Sequence, residues 1–130
     1  MHAAGRTDLQ LQLAAEAGSV GVARHAVKDF AAEVGADADA VAVAVSEAVT
    51  NAVVHAYPAD TRGEILVEAK RNGTHMIVLV TDGGHGIRPN PDSPGLGYGL
   101  ALVASLADEI AIADSPSGGT TVRMRFPLTA

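Results

Sequence analysis

The sequence predicts an α/β domain: a two-layer sandwich in which a mixed β-sheet carries three helices on one face. Three observations predict it. Leu9, Leu11 and Leu13 alternate with polar residues at the start, as in a half-buried strand. Two stretches of helical period follow. The second half then holds two pairs of short apolar runs, each joined by a turn signal, with one further helical stretch between the pairs. The order β-α-α-β-β-loop-α-β-β favours one sheet covered by helices.

Each element has its own justification. Gly18-Ser19 opens the first helix, with Ser19 as the expected N-cap. Val22, Ala26 or Val27, and Phe30 form its apolar stripe, with Arg24, Lys28 and Glu33 off it, and Gly35 stops it. A second helix begins near Asp37 or Asp39 and runs to about Ala56, because Pro58 forbids continuation. Val41, Val45, Ala48, Val49 and Ala52 form its buried side. Gly63 to Arg71 reads as a strand with Ile65, Val67 and Ala69 on one face. Asn72-Gly73 is a hairpin turn signal, and Thr74 to Thr81 is the partner strand. Its run Met76-Ile77-Val78-Leu79-Val80 predicts a strand covered on both faces or central in the sheet. A Gly- and Pro-rich loop spans Asp82 to Gly99. A helix follows over Leu100 to about Leu106, then a strand over Glu109 to Asp114. A turn at Ser117-Gly118-Gly119 precedes the last strand, Thr120 to Phe126.

Composition narrows the function. The 130 residues are read as a single domain over 1–130. The apolar fraction of 48% is enough for a core, but with two Phe, two Tyr and no Trp that core rests on Ala, Val, Leu and Ile. A net charge of −6 without a Lys/Arg cluster argues against direct nucleic-acid binding. It leaves nucleotides open, because backbone amides and Mg²⁺ can hold phosphates. The absence of cysteine excludes disulfides, Cys-ligated zinc and thiol catalysis. No run approaches the roughly 20 apolar residues of a membrane span, and no signal pattern is seen. A soluble, cytoplasmic protein without membrane contacts is expected.

Four short segments could carry chemistry. Glu47, Asn51 and His55 stand at i, i+4 and i+8 on the second helix. Each four-residue step turns only about 40° around the axis, so neighbours in this series project side by side. An amide oxygen can bind a hard cation, and a carboxylate can take a proton from an attacking hydroxyl. Glu and Asn at this spacing are also common on solvated helix faces, and His55 alone suits a helix C-terminus. Asp82-Gly83-Gly84-His85-Gly86 follows a very apolar strand, where a carboxylate could accept from an adenine amino group and glycines admit a ring closely. Gly95-Leu96-Gly97-Tyr98-Gly99 runs into a helix, whose free amides form a natural phosphate site. Its spacing resembles the dinucleotide fingerprint, but a Pro-rich segment replaces the strand that motif needs. Gly119-Thr120-Thr121 places a hydroxyl that could work beside Asp82. Each segment alone has an ordinary structural explanation.

Taken in order, the four resemble the boxes of the gyrase, Hsp90, histidine-kinase and MutL ATPases (the GHKL group). The nearest resemblance is to anti-sigma factor serine kinases of the RsbW and SpoIIAB type. Val45 to Ala52 with His55-Ala56-Tyr57 is similar to that family's N box. Asp82 to Gly86 and Gly95 to Val103 are similar to its two glycine boxes, and Gly119-Thr120-Thr121 to its final Gly-Thr motif. The resemblance spans Leu9 to Phe126. It implies the Bergerat ATP-binding fold with ATP and Mg²⁺ as ligands. It implies Asn51 as the magnesium ligand, Glu47 as the general base and Asp82 at the adenine amino group. Gly84 and Gly86 would border the base, Gly95, Gly97, Tyr98 and Gly99 would line the phosphates, and Thr120 would assist at the adenine.

The same resemblance implies an anti-sigma factor and serine/threonine protein kinase. Its partners would be a sigma factor and an anti-anti-sigma protein of the STAS type, and it would self-associate as a homodimer. A chain of this length leaves no room for a dimerisation hairpin with a phosphorylatable His, so a complete sensor histidine kinase is not expected. Only the eight residues Ile87 to Pro94 separate the glycine boxes, with three prolines and Arg88 as the single cation. Family kinases have longer, more polar lids. The alternative reading is therefore a binding module that sequesters a partner in an ATP-dependent manner with little or no turnover.

Overall fold

In the computed structural model the described residues are 8–55, 63–83, 98–114 and 119–129, with the backbone alone described for His55 and residues 98–101. The alternating leucines form β1 (Leu9–Ala14), with Leu9, Leu11 and Leu13 packed against the core and Gln10, Gln12 and Ala14 exposed. Two antiparallel helices follow, α1 (Ala17–Val34) and α2 (Ala38–His55).

The entry to α1 differs from expectation. Glu16 occupies the N-cap without a side-chain bond, and Ser19 lies inside the first turn. Ser19 is buried, so its hydroxyl must find a partner. It donates to the Ala14 carbonyl at 2.6 Å and ties the helix to the end of β1. The buried stripe is Ser19, Ala23, Val27 and Ala31, while Val22 is 52% exposed. Small side chains at four-residue spacing hide this face from a search for large apolar residues. The exit is as expected: Gly35 takes φ 93°, its N–H donates to the Ala31 carbonyl at 3.0 Å, and the Ala36 N–H reaches the same oxygen at 2.9 Å.

Asp37 caps α2 through a bond from the Ala40 N–H to its Oδ1 at 3.2 Å. Val41, Val45, Ala48, Val49 and Ala52 are all buried, as the periodicity requires. β2 (Glu64–Asn72) and β3 (His75–Asp82) form the expected hairpin, shifted by one residue. Asn72 pairs with His75, so Gly73 and Thr74 make the turn, with Gly73 at φ 64°. A glycine with positive φ at the first of two central positions is the pattern of a type II′ turn.

Helix α3 (Tyr98–Leu106) begins two residues before the expected Leu100; β4 (Glu109–Asp114) and β5 (Thr120–Pro127) complete the chain of elements. The strand order is β1-β2-β3-β5-β4, so β3 is central as expected. Every pairing is antiparallel, and this corrects the mixed sheet of the sequence reading. The β3-α3-β4 crossover does run two strands in the same direction. However, β5 inserts between them and pairs with both, so the parallel contact never forms.

One core joins α1, α2 and Val103 of α3 to a single face of the sheet, lined by Ile65, Val67, Met76, Val78, Val80, Val122, Met124 and Phe126. The two-layer architecture with helices on one face therefore holds. The other face carries ion pairs, Arg123 to Glu109 and Arg125 to Asp108, both at 3.0 Å. Among the described residues no helix is long and apolar enough to cross a membrane.

Candidate functional site

Strand alternation decides where Asp82 points. Met76, Val78 and Val80 face the helices, and Asp82 continues that row as its last member. It is 4% exposed. A buried carboxylate at the end of an apolar row is costly unless it is partnered. Across the ladder it pairs in register with Thr120, the first residue of β5, which is 2% exposed. The Thr120 Oγ1 is buried and has no hydrogen-bond partner. Leaving a buried hydroxyl unpaired costs roughly 1–3 kcal/mol, so this atom is poised for an external partner. The sequence reading expects a Thr120 hydroxyl working beside Asp82, and the register makes the two residues neighbours.

Gly119 explains how the strands come so close at this end. It adopts φ 87°, and a Cβ there would stand 2.0 Å from the Asp82 carbonyl oxygen and 2.8 Å from the Gly83 Cα. Sequence reasoning placed Gly119 in a turn and gave it no site role. The Gly-Gly-Thr-Thr run was the available signal, but the close approach to Asp82 is visible only in the fold. On the opposite sheet face, Thr81 and Thr121 share a hydroxyl hydrogen bond of 3.1 Å, which closes that side of the same strand pair.

Helix α2 packs beside β3 and α3. Glu47 and Asn51 lie one turn apart on it, both half-buried, at the edge of the buried stripe. The Asn51 Nδ2 is buried with no hydrogen-bond partner. Two of the residues singled out from sequence, Asn51 and Thr120, thus carry buried polar atoms without a partner, as does Arg125 at its Nε. Tyr98 and Gly99 lie in the first turn of α3, where N–H groups have no intrahelical acceptor. Gly84, Gly86, Gly95 and Gly97, with His85, Arg88 and the Ile87–Pro94 lid, lie outside the described residues. Among the described residues no cluster of three His, Asp or Glu side chains could hold a metal by itself.

Residues 13–126 match the histidine kinase-like ATPase domain family. The chain belongs to that family. Among relatives of this ATPase domain, the anti-sigma F factor of Shouchella clausii is 26% identical over 91 residues, which cover 62% of each chain. The anti-sigma F factor of Bacillus subtilis is 26% identical over 86 residues, covering 58% of this chain and 59% of that one. The sensor histidine kinase PdtaS of Mycolicibacterium smegmatis is 35% identical over 85 residues, 60% of this chain but 17% of that protein. The matches thus span about three fifths of these two anti-sigma factors' own length. Among solved structures, the RsbU and RsbW domains of a Mycobacterium tuberculosis protein superpose with a TM-score of 0.71 at 30% identity, covering 92% of this chain and 32% of that one. The resemblance to RsbW- and SpoIIAB-type proteins and the ATPase fold both stand.

Proposed function

We propose that this ATPase domain binds Mg·ATP and acts as an anti-sigma factor and serine/threonine protein kinase, directed at a serine of a STAS-type anti-anti-sigma protein. The observation that carries the nucleotide part is the buried Asp82 carboxylate in register with the unpartnered Thr120 hydroxyl. Adenine offers one face suited to that pair: an amino group for a carboxylate to accept from, and a ring nitrogen for a hydroxyl to donate to. Guanine presents a carbonyl and a ring N–H instead.

The α2 residues supply the rest. The Asn51 amide oxygen could take one position on Mg²⁺. Bound ATP supplies the phosphoryl group. Glu47, half-buried at the edge of α2, accepts the seryl proton as the new oxygen–phosphorus bond forms and the bond to the bridging β–γ oxygen breaks, with ADP leaving. Tyr98 and Gly99 offer backbone N–H groups in the first turn of α3 to the phosphates, and the family resemblance assigns Gly95 and Gly97 to the phosphates and Gly84 and Gly86 to the base. The anti-sigma part rests on the relatives named anti-sigma F factor. Function in the cytoplasm, as the homodimer implied by the family resemblance, belongs to the same proposal.

Calorimetry with ATP and GTP tests the pocket. Two facing acceptors at a buried site cost roughly 1–3 kcal/mol, so ATP should bind at least about fivefold more tightly. Asp82→Asn should weaken ATP binding while the domain stays folded. Equal affinities for the two nucleotides would remove Asp82 from the base site. The kinase part is tested by transfer of labelled phosphate to a STAS protein captured with the domain and identified by mass spectrometry.

A further inference from the structure

The outward side of α2 has an exposed apolar surface that the fold does not use. Val43 and Val54 are 43% and 59% exposed. On a helix they fall within about 40° of Glu47, one turn before it and two turns after it, with exposed Thr50 between. The core has enough valines without them, since Val41, Val45 and Val49 on the same helix are fully buried. Among the described residues the exposed large hydrophobic side chains are Val22, Val43, Val54 and Leu102, and all four lie on helices. The open face of the sheet is different, with its arginines bound to acidic neighbours. From Ala38 to Val54 the helix carries only Asp39 and Glu47 as charged residues.

We infer that the Val43–Val54 side of α2 is the docking surface for the segment of the STAS-type partner that carries the acceptor serine. The inference rests on the proposed role of Glu47. A base on the edge of α2 can take a proton only from a hydroxyl brought to that edge. The segment that brings it must therefore lie along the exposed residues on Glu47's side of the helix, which are Val43, Thr50 and Val54. Their chemistry specifies the occupant. It presents apolar side chains on both sides of the serine and no acidic residue beside it, because Glu47 would repel one. Apolar contact here selects the substrate, while Glu47 performs the proton transfer.

The test uses the full chain and the STAS protein that the wild type phosphorylates. Val43→Lys and Val54→Lys are surface changes on a helix and should preserve the fold, checked by circular dichroism. Each should raise the KM for the STAS protein at least tenfold, with kcat and ATP affinity within twofold of wild type. Lys70→Glu, on the open sheet face, should leave the KM unchanged. Unaltered KM in both valine variants, with transfer intact, would overturn the docking surface and leave the kinase assignment standing. An equal rise in KM for Lys70→Glu would also overturn it. Absence of transfer by the wild type would overturn the kinase assignment itself, and the docking surface with it.

Discussion

Gly119 presses its backbone against Asp82: a Cβ on Gly119 would lie 2.0 Å from the Asp82 carbonyl oxygen. This contact sets the position of the acidic residue and of Thr120, the next residue along. Gly119→Ala should therefore act on stability and on ligand binding together. The positive φ alone costs a substituted side chain about 1–3 kcal/mol, before any displacement of Asp82. A lower denaturation midpoint at unchanged slope, together with at least tenfold weaker ATP binding, is the expected result. Full ATP affinity in a destabilised variant would separate the strand contact from the pocket.

Thr120→Val should move the two quantities in opposite directions. The hydroxyl is buried without a partner, so replacing it by a methyl group of similar shape removes a desolvation cost. The ligand-free domain should gain roughly 1 kcal/mol in urea denaturation. ATP affinity should fall, because the hydroxyl is the proposed donor to the ring. A loss of stability would show that the hydroxyl has a structural partner in solution.

Glu47 and Asn51 share one side of α2 but should fail differently. Glu47→Ala should keep Mg·ATP binding and lose roughly 10²- to 10⁴-fold in phosphate transfer, the usual range for a missing general base. Asn51→Ala should lose the magnesium dependence of nucleotide affinity. Titration of ATP with and without Mg²⁺, beside a transfer assay, distinguishes them. Normal transfer by Glu47→Ala would remove it as the base.

Arg24 offers a test of a second contact with the partner. Lys28, on the same face of α1, pairs with Asp39 at 3.3 Å, whereas Arg24 is exposed on a chain of net negative charge. Arg24→Glu should slow association with an acidic surface of the partner, most visibly at low salt, with ATP affinity unchanged. Association rates measured across salt concentrations check this. A rate unaffected by the charge reversal would exclude Arg24 from docking.

Local rules made much of the molecule legible from its residues. The alternating leucines of β1, the Asp37 cap, the Gly35 stop and the buried side of α2 each follow from contacts within a few residues, where period and propensity act directly. Ser19 and the Ala23–Val27–Ala31 stripe were harder to read. Small side chains give a weak hydrophobic signal, and the carbonyl that binds Ser19 belongs to a different element. The hairpin slipped by one residue for a related reason: Gly73 can supply positive φ in either turn register, and pairing along the whole of β2 and β3 selects between them.

The sequence by itself determined which residues are candidates for the chemistry of the site: Glu47 and Asn51 one helical turn apart, Asp82 after an apolar strand, and Thr120 after glycines. Only the tertiary structure decided that Asp82 and Thr120 face each other. That adjacency depends on β5 inserting between β3 and β4, a pairing between strands distant in the chain. Hydrogen bonding in the ladder and burial of one sheet face choose that register, and neither is a property of any short segment.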